Sequence, residues 1–234
     1  MITIILAGGI DKMKYPKVCI KYKDMPMIVR AVNNAILLKS EMIIIIVNPT
    51  THEKIKNIIN LYINQNIFYV VQKESLGTCD ALKSCIPYLE EIDPFTKILI
   101  LNADMPLLSF YTLNTFIKWD NSNDSRILSC KIDNPSGYGR IIRDKKYNFI
   151  EIKEDIECNK EEKMIRYVNA GIYLLTNYQI QENIESVGNN NAKKEYYITD
   201  LINYIKPKIY MLESKFQKEL INITNIEMLK KLAR

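Results

Sequence analysis

The sequence predicts an α/β fold: a Rossmann-like, mixed but mostly parallel sheet flanked by helices. Three observations lead there. Apolar runs with β-branched character alternate with helix-period segments through the first half of the chain. One of these runs, Met42-Ile43-Ile44-Ile45-Ile46-Val47, contains no polar residue, as a strand covered on both faces requires. Glycine is scarce, 7 in 234 residues, against about 7% in average proteins, and six of the seven stand in short motif-like segments, two of them straight after the first apolar run. Strand–helix alternation implies parallel pairing, which places ligands at the carboxyl ends of the strands.

The first strand is expected at residues 2–6, ending in Gly8-Gly9. Helical spacing follows at 27–38, a strand at 42–47, a helix at 53–63, a strand at 67–71, a helix at 79–89 and a strand at 98–101. Beyond about residue 120 the runs shorten. Strands at 126–132, 139–143, 149–152 and 168–175, separated by turns, predict a mixed or antiparallel part. Residues 196–205 and 226–232 read as helices, the second after a Thr224-Asn225 cap. Polar loops fall at 121–124 and 188–194. Without an internal repeat or a Pro/Gly/Ser-rich boundary, the expectation is one domain, 1–234, with lobes at 1–120 and 121–234.

Composition narrows the function. A net charge of +5 with scattered lysines suits small anionic substrates, and no nucleic-acid motif is present. There is no signal-peptide pattern and no run near the ~18 apolar residues of a membrane span, so a cytoplasmic location and no membrane partner are expected. Five cysteines without a C-x-x-C pair read as reduced, structural thiols. One histidine, His52, cannot build a multi-histidine zinc site, and no nucleophile-elbow motif accompanies it. It reads as a surface residue near a helix start.

Several segments carry chemistry. Gly8-Gly9 after a buried strand, with Pro16-Lys17 following, suits phosphate; Lys17 is otherwise a solvated charge. Asp104, in Asn102-Ala103-Asp104-Met105-Pro106, either holds Mg²⁺ against a nucleotide's phosphates or caps the next turn. Gln72 ends a strand and can pair with a nucleobase edge, while Gly77-Thr78 opens a helix; alternatively the segment is a loop with a Thr cap. Gly137-Tyr138-Gly139-Arg140 is a turn or a ligand loop. Asn169-Ala170-Gly171 breaks an apolar strand, which favours a ligand contact over a bulge.

In this order the segments resemble the uridylyltransferase domain of the bacterial bifunctional N-acetylglucosamine-1-phosphate uridylyltransferase/acetyltransferases. They are Leu6-Ala7-Gly8-Gly9, Pro16-Lys17-Val18, Gln72 through Thr78, Ala103 through Leu107, Gly137 through Ile141, Val168 through Ile172 and Glu195-Tyr196-Tyr197-Ile198-Thr199-Asp200. The resemblance covers nearly the whole chain and implies a nucleotide-diphospho-sugar transferase type of fold. It also implies transfer of UMP from UTP to N-acetylglucosamine 1-phosphate with Mg²⁺, releasing pyrophosphate. Alternatives are a nucleotidyltransferase for another sugar phosphate or nucleotide, and a nucleotide-sugar binding protein. By the same likeness Leu6, Ala7, Gly8, Gly9, Gln72, Gly77 and Thr78 hold the nucleotide, Lys17 contacts phosphate and Asp104 binds Mg²⁺. Gly139, Glu151, Asn169, Tyr197 and Thr199 would cradle the sugar.

The chain departs from the family in three places. The family loop Gly-x-Gly-Thr-Arg-Met is here Gly9-Ile10-Asp11-Lys12-Met13-Lys14-Tyr15; Lys12 takes the arginine's place as a point charge, and the resemblance implies a catalytic role for it. A second metal-binding Asn falls at Thr224, with Asn225 one residue on. The sequence ends at Arg234, so the expectation is the uridylyltransferase half alone.

Overall fold

The computed structural model describes residues 1–9, 15–119 and 125–223, with 228, 229 and 232. In chain order the strands and helices are β1 (Ile2–Leu6), β2 (Lys21–Tyr22), β3 (Met25–Pro26), α1 (Met27–Leu37), β4 (Met42–Val47), α2 (His52–Asn60), β5 (Phe68–Val71), α3 (Thr78–Lys83), α4 (Ile86–Leu89) and β6 (Lys97–Asn102). They continue with α5 (Phe110–Ile117), β7 (Arg126–Lys131), β8 (Arg140–Arg143), β9 (Phe149–Lys153), β10 (Tyr167–Thr176), α6 (Asn177–Asn183), α7 (Ile198–Ile205) and β11 (Lys208–Leu212).

One sheet runs through both halves in the order β11-β7-β10-β6-β1-β4-β5, with β8 and β9 attached through β10. The pairs β6-β1, β1-β4 and β4-β5 are parallel, as expected. β10 enters antiparallel between β6 and β7, and β11 returns parallel to β7, so the second half is mixed.

Side-chain alternation divides the core. Ile2 and Ile4 of β1, with Ile44, Ile46, Ile98 and Ile100, face a layer that includes α3, α6 and α7. Ile5, Ile43 and Ile45 face α1 and α2, while Leu99 and Leu101 face α5 on that same side of the sheet. Covered on both faces, the central strands have no need of polar residues.

The chain order of the parallel strands reverses between β1 and β6, which is where an open α/β sheet leaves a crevice beyond its strand ends. Leu6 and Asn102 are register partners there.

The expected helix at 79–89 is two helices, α3 and α4. Pro87 sits in the first turn of α4, where its missing N–H is harmless, but it could not continue α3. The helix expected at 196–205 starts at Ile198. The Thr224-Asn225 cap, most of the 226–232 helix and the loop at 121–124 lie outside the described residues.

His52 is the first residue of α2, with its side chain 27% exposed, and its ring meets that of Tyr69. All five cysteines are free and buried, and burial pushes Cys79 and Cys85 up to about 12, so neither is a ready nucleophile. Among the described residues no helix is long and apolar enough to cross a membrane.

Candidate functional site

At the crevice between β1 and β6 a cleft of about 450 Å³ opens. It gathers Leu6, Ala7, Gly8, Gly9, Lys17, Gln72, Gly77, Thr78 and Asp104, nine of the residues singled out from the sequence. Lys12, Thr224 and Asn225 lie outside the described residues.

The β1 turn is built by its neighbours. Ala7 N–H donates to Ile46 O at 2.9 Å, extending the ladder one residue past the strand. Asn48 Nδ2 donates to the carbonyls of Gly8 and Gly9, each at 3.3 Å. A Cβ on Gly8 would stand 2.8 Å from Gln72 Oε1, so this turn admits Gln72 only because residue 8 has no side chain. Gln72 is 3% exposed, and its Nε2 donates to Gly77 O at 3.1 Å and Asp80 Oδ2 at 2.7 Å. With its amide group thus oriented, the Oε1 end is directed at the turn.

Lys17 follows Pro16 in a single 3-10 turn and reaches across the cleft. Its Nζ lies 2.9 Å from Asp104 Oδ2, and the two side chains are 20% and 22% exposed. A half-buried ion pair of this kind is held more firmly than a surface one, yet both groups remain open to a ligand entering the cleft. Glu195 supplies the other carboxylate on the described wall.

Asn222 also lines the cleft, and the motifs read from the sequence did not include it as a site residue. Ile223 N–H donates to Asp104 O at 2.9 Å and draws the segment against the β6 loop. Among the described residues Asn222 Oδ1 is buried without a hydrogen-bond partner, which carries a cost unless a donor or cation meets it. The Tyr138 phenol packs in the same place. Burial raises its pKa, the Asn222 backbone opposes that, and the Asp104 charge adds to it.

Two motifs distant in sequence prove to be one structural unit. Cys79 N–H at the start of α3 donates to Tyr196 O at 2.8 Å, while Ile198 N–H at the start of α7 donates to Thr78 Oγ1 at 2.9 Å. Each helix start thus satisfies an otherwise orphan amide of the other. The Thr78 hydroxyl, read from the sequence as a ligand group or a cap, has one lone pair committed to α7.

Gly139, Glu151, Asn169, Tyr197 and Thr199 do not line this cleft. They stand just before β8, on β9 and β10, and at the start of α7. Asn169 N–H donates to Gly139 O at 2.9 Å. Asn169 Nδ2 donates to Tyr173 Oη at 2.7 Å, and its Oδ1 accepts from Gly171 N–H at 3.1 Å.

The β10 register shifts between Asn169 and Tyr173, so the bulge that the sequence made the lesser reading is present, and it supplies the asparagine's partners. Gly171, at φ +70, brings this bulge against Asn102 of the cleft, whose Nδ2 would stand 2.6 Å from an added Cβ. Glu151 is half-buried on β9.

Thr199 Oγ1 donates to Glu154 Oε1 at 2.9 Å. Glu154 is raised by burial against the opposing Thr199 bond. Asp200, in the first turn of α7, is raised to about 6 by burial and by the charges of Glu157 and Glu154. An acid there ordinarily gains from the helix dipole; here burial and like charge outweigh it.

The sign follows. A carboxyl that binds its proton more tightly when folded adds stability below about pH 4, and that stability is lost as pH rises through about 6. Asp200→Asn is therefore expected to raise the Tm at pH 7.5 relative to the parent chain, with the difference closing near pH 4. A variant less stable at both pH values would show that Asp200 is held by favourable contacts.

The Gly-Tyr-Gly-Arg turn is fixed from beneath. Arg140, its side chain 2% exposed, donates from Nη2 to Asp155 Oδ1 at 2.7 Å and from Nη1 to the Tyr138 carbonyl. Asp155 Oδ2 accepts from Gly137 N–H at 3.0 Å, and this bond leads the causes that lower its pKa. The buried arginine thus locks the loop carrying Tyr138 and Gly139.

Comparisons with known proteins match the chain to a family model, to curated relatives and to solved structures. The family model described as nucleotidyl transferase matches residues 2–219. A probable UDP-N-acetylglucosamine pyrophosphorylase of Acanthamoeba polyphaga mimivirus is 35% identical over 237 residues, covering 96% of this chain and 92% of that protein. The bifunctional protein GlmU of Thermosipho africanus is 37% identical over 209 residues, 87% of this chain but 44% of its own length. The chain therefore spans less than half of that relative.

Among solved structures, a UDP-glucose pyrophosphorylase complexed with UDP-glucose superposes with a TM-score of 0.71 at 18% identity, covering 99% and 96% of the two chains. A putative glucose-1-phosphate thymidylyltransferase from Bacillus anthracis gives 0.72 at 19%, covering 100% and 96%. At these identities the likeness is one of fold.

Proposed function

We propose, from the premise that this chain belongs to the nucleotidyl transferase family, that it transfers UMP from UTP to N-acetylglucosamine 1-phosphate, giving UDP-N-acetylglucosamine and pyrophosphate. The observation that carries the reading is the convergence of Gly8-Gly9, Gln72, Lys17 and Asp104 on one cleft at the sheet's switch point. The full-length relative named for that product supports the choice of sugar.

In this reading the backbone of the β1 turn and Gln72 hold the uridine end, and Lys17 meets the phosphates. The sugar lies beyond Asn102, toward Gly139, Glu151, Asn169, Tyr197 and Thr199. The attacking oxygen of the sugar phosphate is ionised at neutral pH, so no side chain has to remove a proton. What the residues supply is alignment of that oxygen with the α-phosphorus and balancing of charge as pyrophosphate leaves. Lys17 provides positive charge, and Lys12 is proposed to add to it.

Asp104 and Asn222 fit a divalent cation. Asn222 Oδ1 is a buried oxygen lacking a partner among the described residues, and it shares the cleft with the Asp104 carboxylate. No group of three or more His, Cys, Asp or Glu able to hold a metal gathers among the described residues. A hard ion that takes few protein oxygens and completes its shell from phosphates and water matches this sparse set. Mg²⁺, when bound, would neutralise phosphate charge. Thr224 and Asn225 are proposed as nearby ligands from the sequence alignment.

Pyrophosphate release should be measured with UTP and a panel of sugar 1-phosphates, with Mg²⁺ and with excess chelator. Turnover is expected with N-acetylglucosamine 1-phosphate and Mg²⁺ only. Faster turnover of glucose 1-phosphate would overturn the sugar assignment, and binding without turnover would overturn the enzyme reading.

A further inference from the structure

A second cleft, of about 390 Å³, lies on the antiparallel part of the sheet and shares no lining residue with the first. Its volume falls in the range of small-molecule sites, roughly 300–1,000 Å³. It lies between the far end of β8 and the start of β10. Gly139, just before β8, and Arg143, at its other end, are about 13 Å apart along the strand.

The centre of this cleft is Arg143. Its guanidinium carbon sits 3.9 Å from the ring centroid of Tyr167 and 5.2 Å from that of Tyr147. Among the described residues the Arg143 side chain has no carboxylate or hydrogen-bond partner besides these rings. Stacking of this kind orders a guanidinium by its faces and leaves its N–H edge for a planar or tetrahedral anion. Lys131 lines the cleft, and among the described residues its side chain is likewise without an ion pair.

The other charges there are already engaged. Arg166 pairs with Asp133 and donates from Nε to Ile132 O at 3.0 Å. Asp144 Oδ1 accepts from Lys146 N–H at 2.7 Å and Asn148 N–H at 2.8 Å, and its Oδ2 from Asn148 Nδ2 at 2.9 Å. Its carboxylate is thereby committed to the turn that sets Tyr147 over Arg143, with Tyr147 at φ +66. The cleft is left with two cations that have no ion pair among the described residues, Arg143 and Lys131, against the single negative charge of Asp144, beside exposed apolar surface, Tyr147 at 74% and Met164 at 79%.

We propose that this cleft binds a phosphorylated small molecule, its phosphate on Arg143 and Lys131 and its apolar body against Tyr147 and Met164. A phosphate accepts from the guanidinium edge in pairs and tolerates the lysine as a point charge. The apolar part distinguishes such a ligand from inorganic phosphate. This assignment does not depend on the reaction proposed for the first cleft.

Phenyl phosphate is a suitable probe, since it carries both features and no uridine. The full chain is labelled at its methionine methyl groups and titrated by NMR, with Met164 reporting on this cleft and Met105, beside Asp104 in sequence, on the first. The Met164 signal is expected to move while Met105 stays, with affinity about tenfold above that of inorganic phosphate. Arg143→Ala is expected to weaken binding about tenfold or more, as loss of a paired charge-assisted contact does. Lys131→Gln, on an exposed side chain, should weaken it less, and Lys17→Ala should leave it unchanged.

A Met164 signal that stays still at about 10 mM probe would overturn the proposal, since weaker binding than that carries no specific recognition. Equal binding of inorganic phosphate would do the same, as would loss of binding in Lys17→Ala. If Arg143→Ala fails to fold, Arg143→Lys decides: it keeps the charge but not the fork, and unchanged affinity in that variant would also overturn the assignment.

Discussion

Asp104→Asn is expected to lower pyrophosphate release from UTP by about 100-fold or more, because charge stabilisation in a phosphoryl-transfer site is worth several kcal/mol. The substitution keeps the shape of the side chain and one carbonyl oxygen. It removes a formal negative charge that sits 2.9 Å from Lys17 and shares the cleft with the buried Asn222 oxygen, which has no partner among the described residues. Two effects follow for the residues that remain. Lys17 loses its carboxylate partner, and the oxygens able to hold a cation fall to neutral amides.

The fold should tolerate the change. The Asp104 side chain is 22% exposed, and the carbonyl that receives Ile223 N–H belongs to the backbone. Unfolding midpoints of variant and parent are therefore expected to agree, with the defect appearing in kcat and in the Mg²⁺ concentration needed for half-maximal rate. A kcat within about threefold of the parent would remove Asp104 from the chemistry.

How far this site could be foreseen differs by residue, for physical reasons. The parallel half was legible because its signal is local: Ile43, Ile44, Ile45 and Ile46 are buried whichever way they point, and an unbroken apolar run of this length suits a strand covered on both faces and no half-exposed element. Gly8-Gly9 and Asp104 were legible because strand ends in an open α/β sheet have a fixed relation to the crevice. The reciprocal capping of α3 and α7 was not, since it depends on two segments about 120 residues apart meeting at hydrogen-bond distance.

Asn222 was missed for a similar reason. Nothing in Ile221-Asn222-Ile223 separates a surface asparagine from one drawn under the β6 loop by a single backbone bond to Asp104. The two buried arginines carried no sequence signal of their own either. Charged residues are rarely fully buried unless paired, yet Arg140 and Arg126 are 1% and 2% exposed. Arg140 is paired with Asp155, fifteen residues on. At Asn169 the expected ligand contact competed with a bulge, and the bulge is there because Gly171 permits φ +70 and the two partners of Asn169 lie within four residues. A role for Asn169 toward a sugar then rests on its remaining hydrogen-bonding capacity, not on an unmet need.

Gly77→Ala is expected to be the most damaging single-methyl change in the chain, costing about 3 kcal/mol of stability through backbone strain and steric overlap. Gly77 has φ +123 and ψ 177, a conformation essentially reserved for glycine. An added Cβ would press on the Tyr196 carbonyl and stand 2.7 Å from the Tyr196 nitrogen. Both clashing atoms are backbone, so no rotamer change relieves them. Tyr196 is held on both sides, its N–H donating to Leu76 O and its carbonyl accepting from Cys79 N–H, each at 2.8 Å.

Moving Tyr196 away would break the bonds that join the starts of α3 and α7, and with them the wall carrying Thr78 and Glu195. UTP binding should therefore weaken along with stability. Gly188→Ala is the matched control, since among the described residues nothing lies within 4 Å of a Cβ added at Gly188, and a change within about 0.5 kcal/mol is expected there. Urea unfolding of the two variants measures the difference. Equal midpoints would show that the α3–α7 junction yields without cost, and that the close approach of Gly77 to Tyr196 is not what holds the two motifs together.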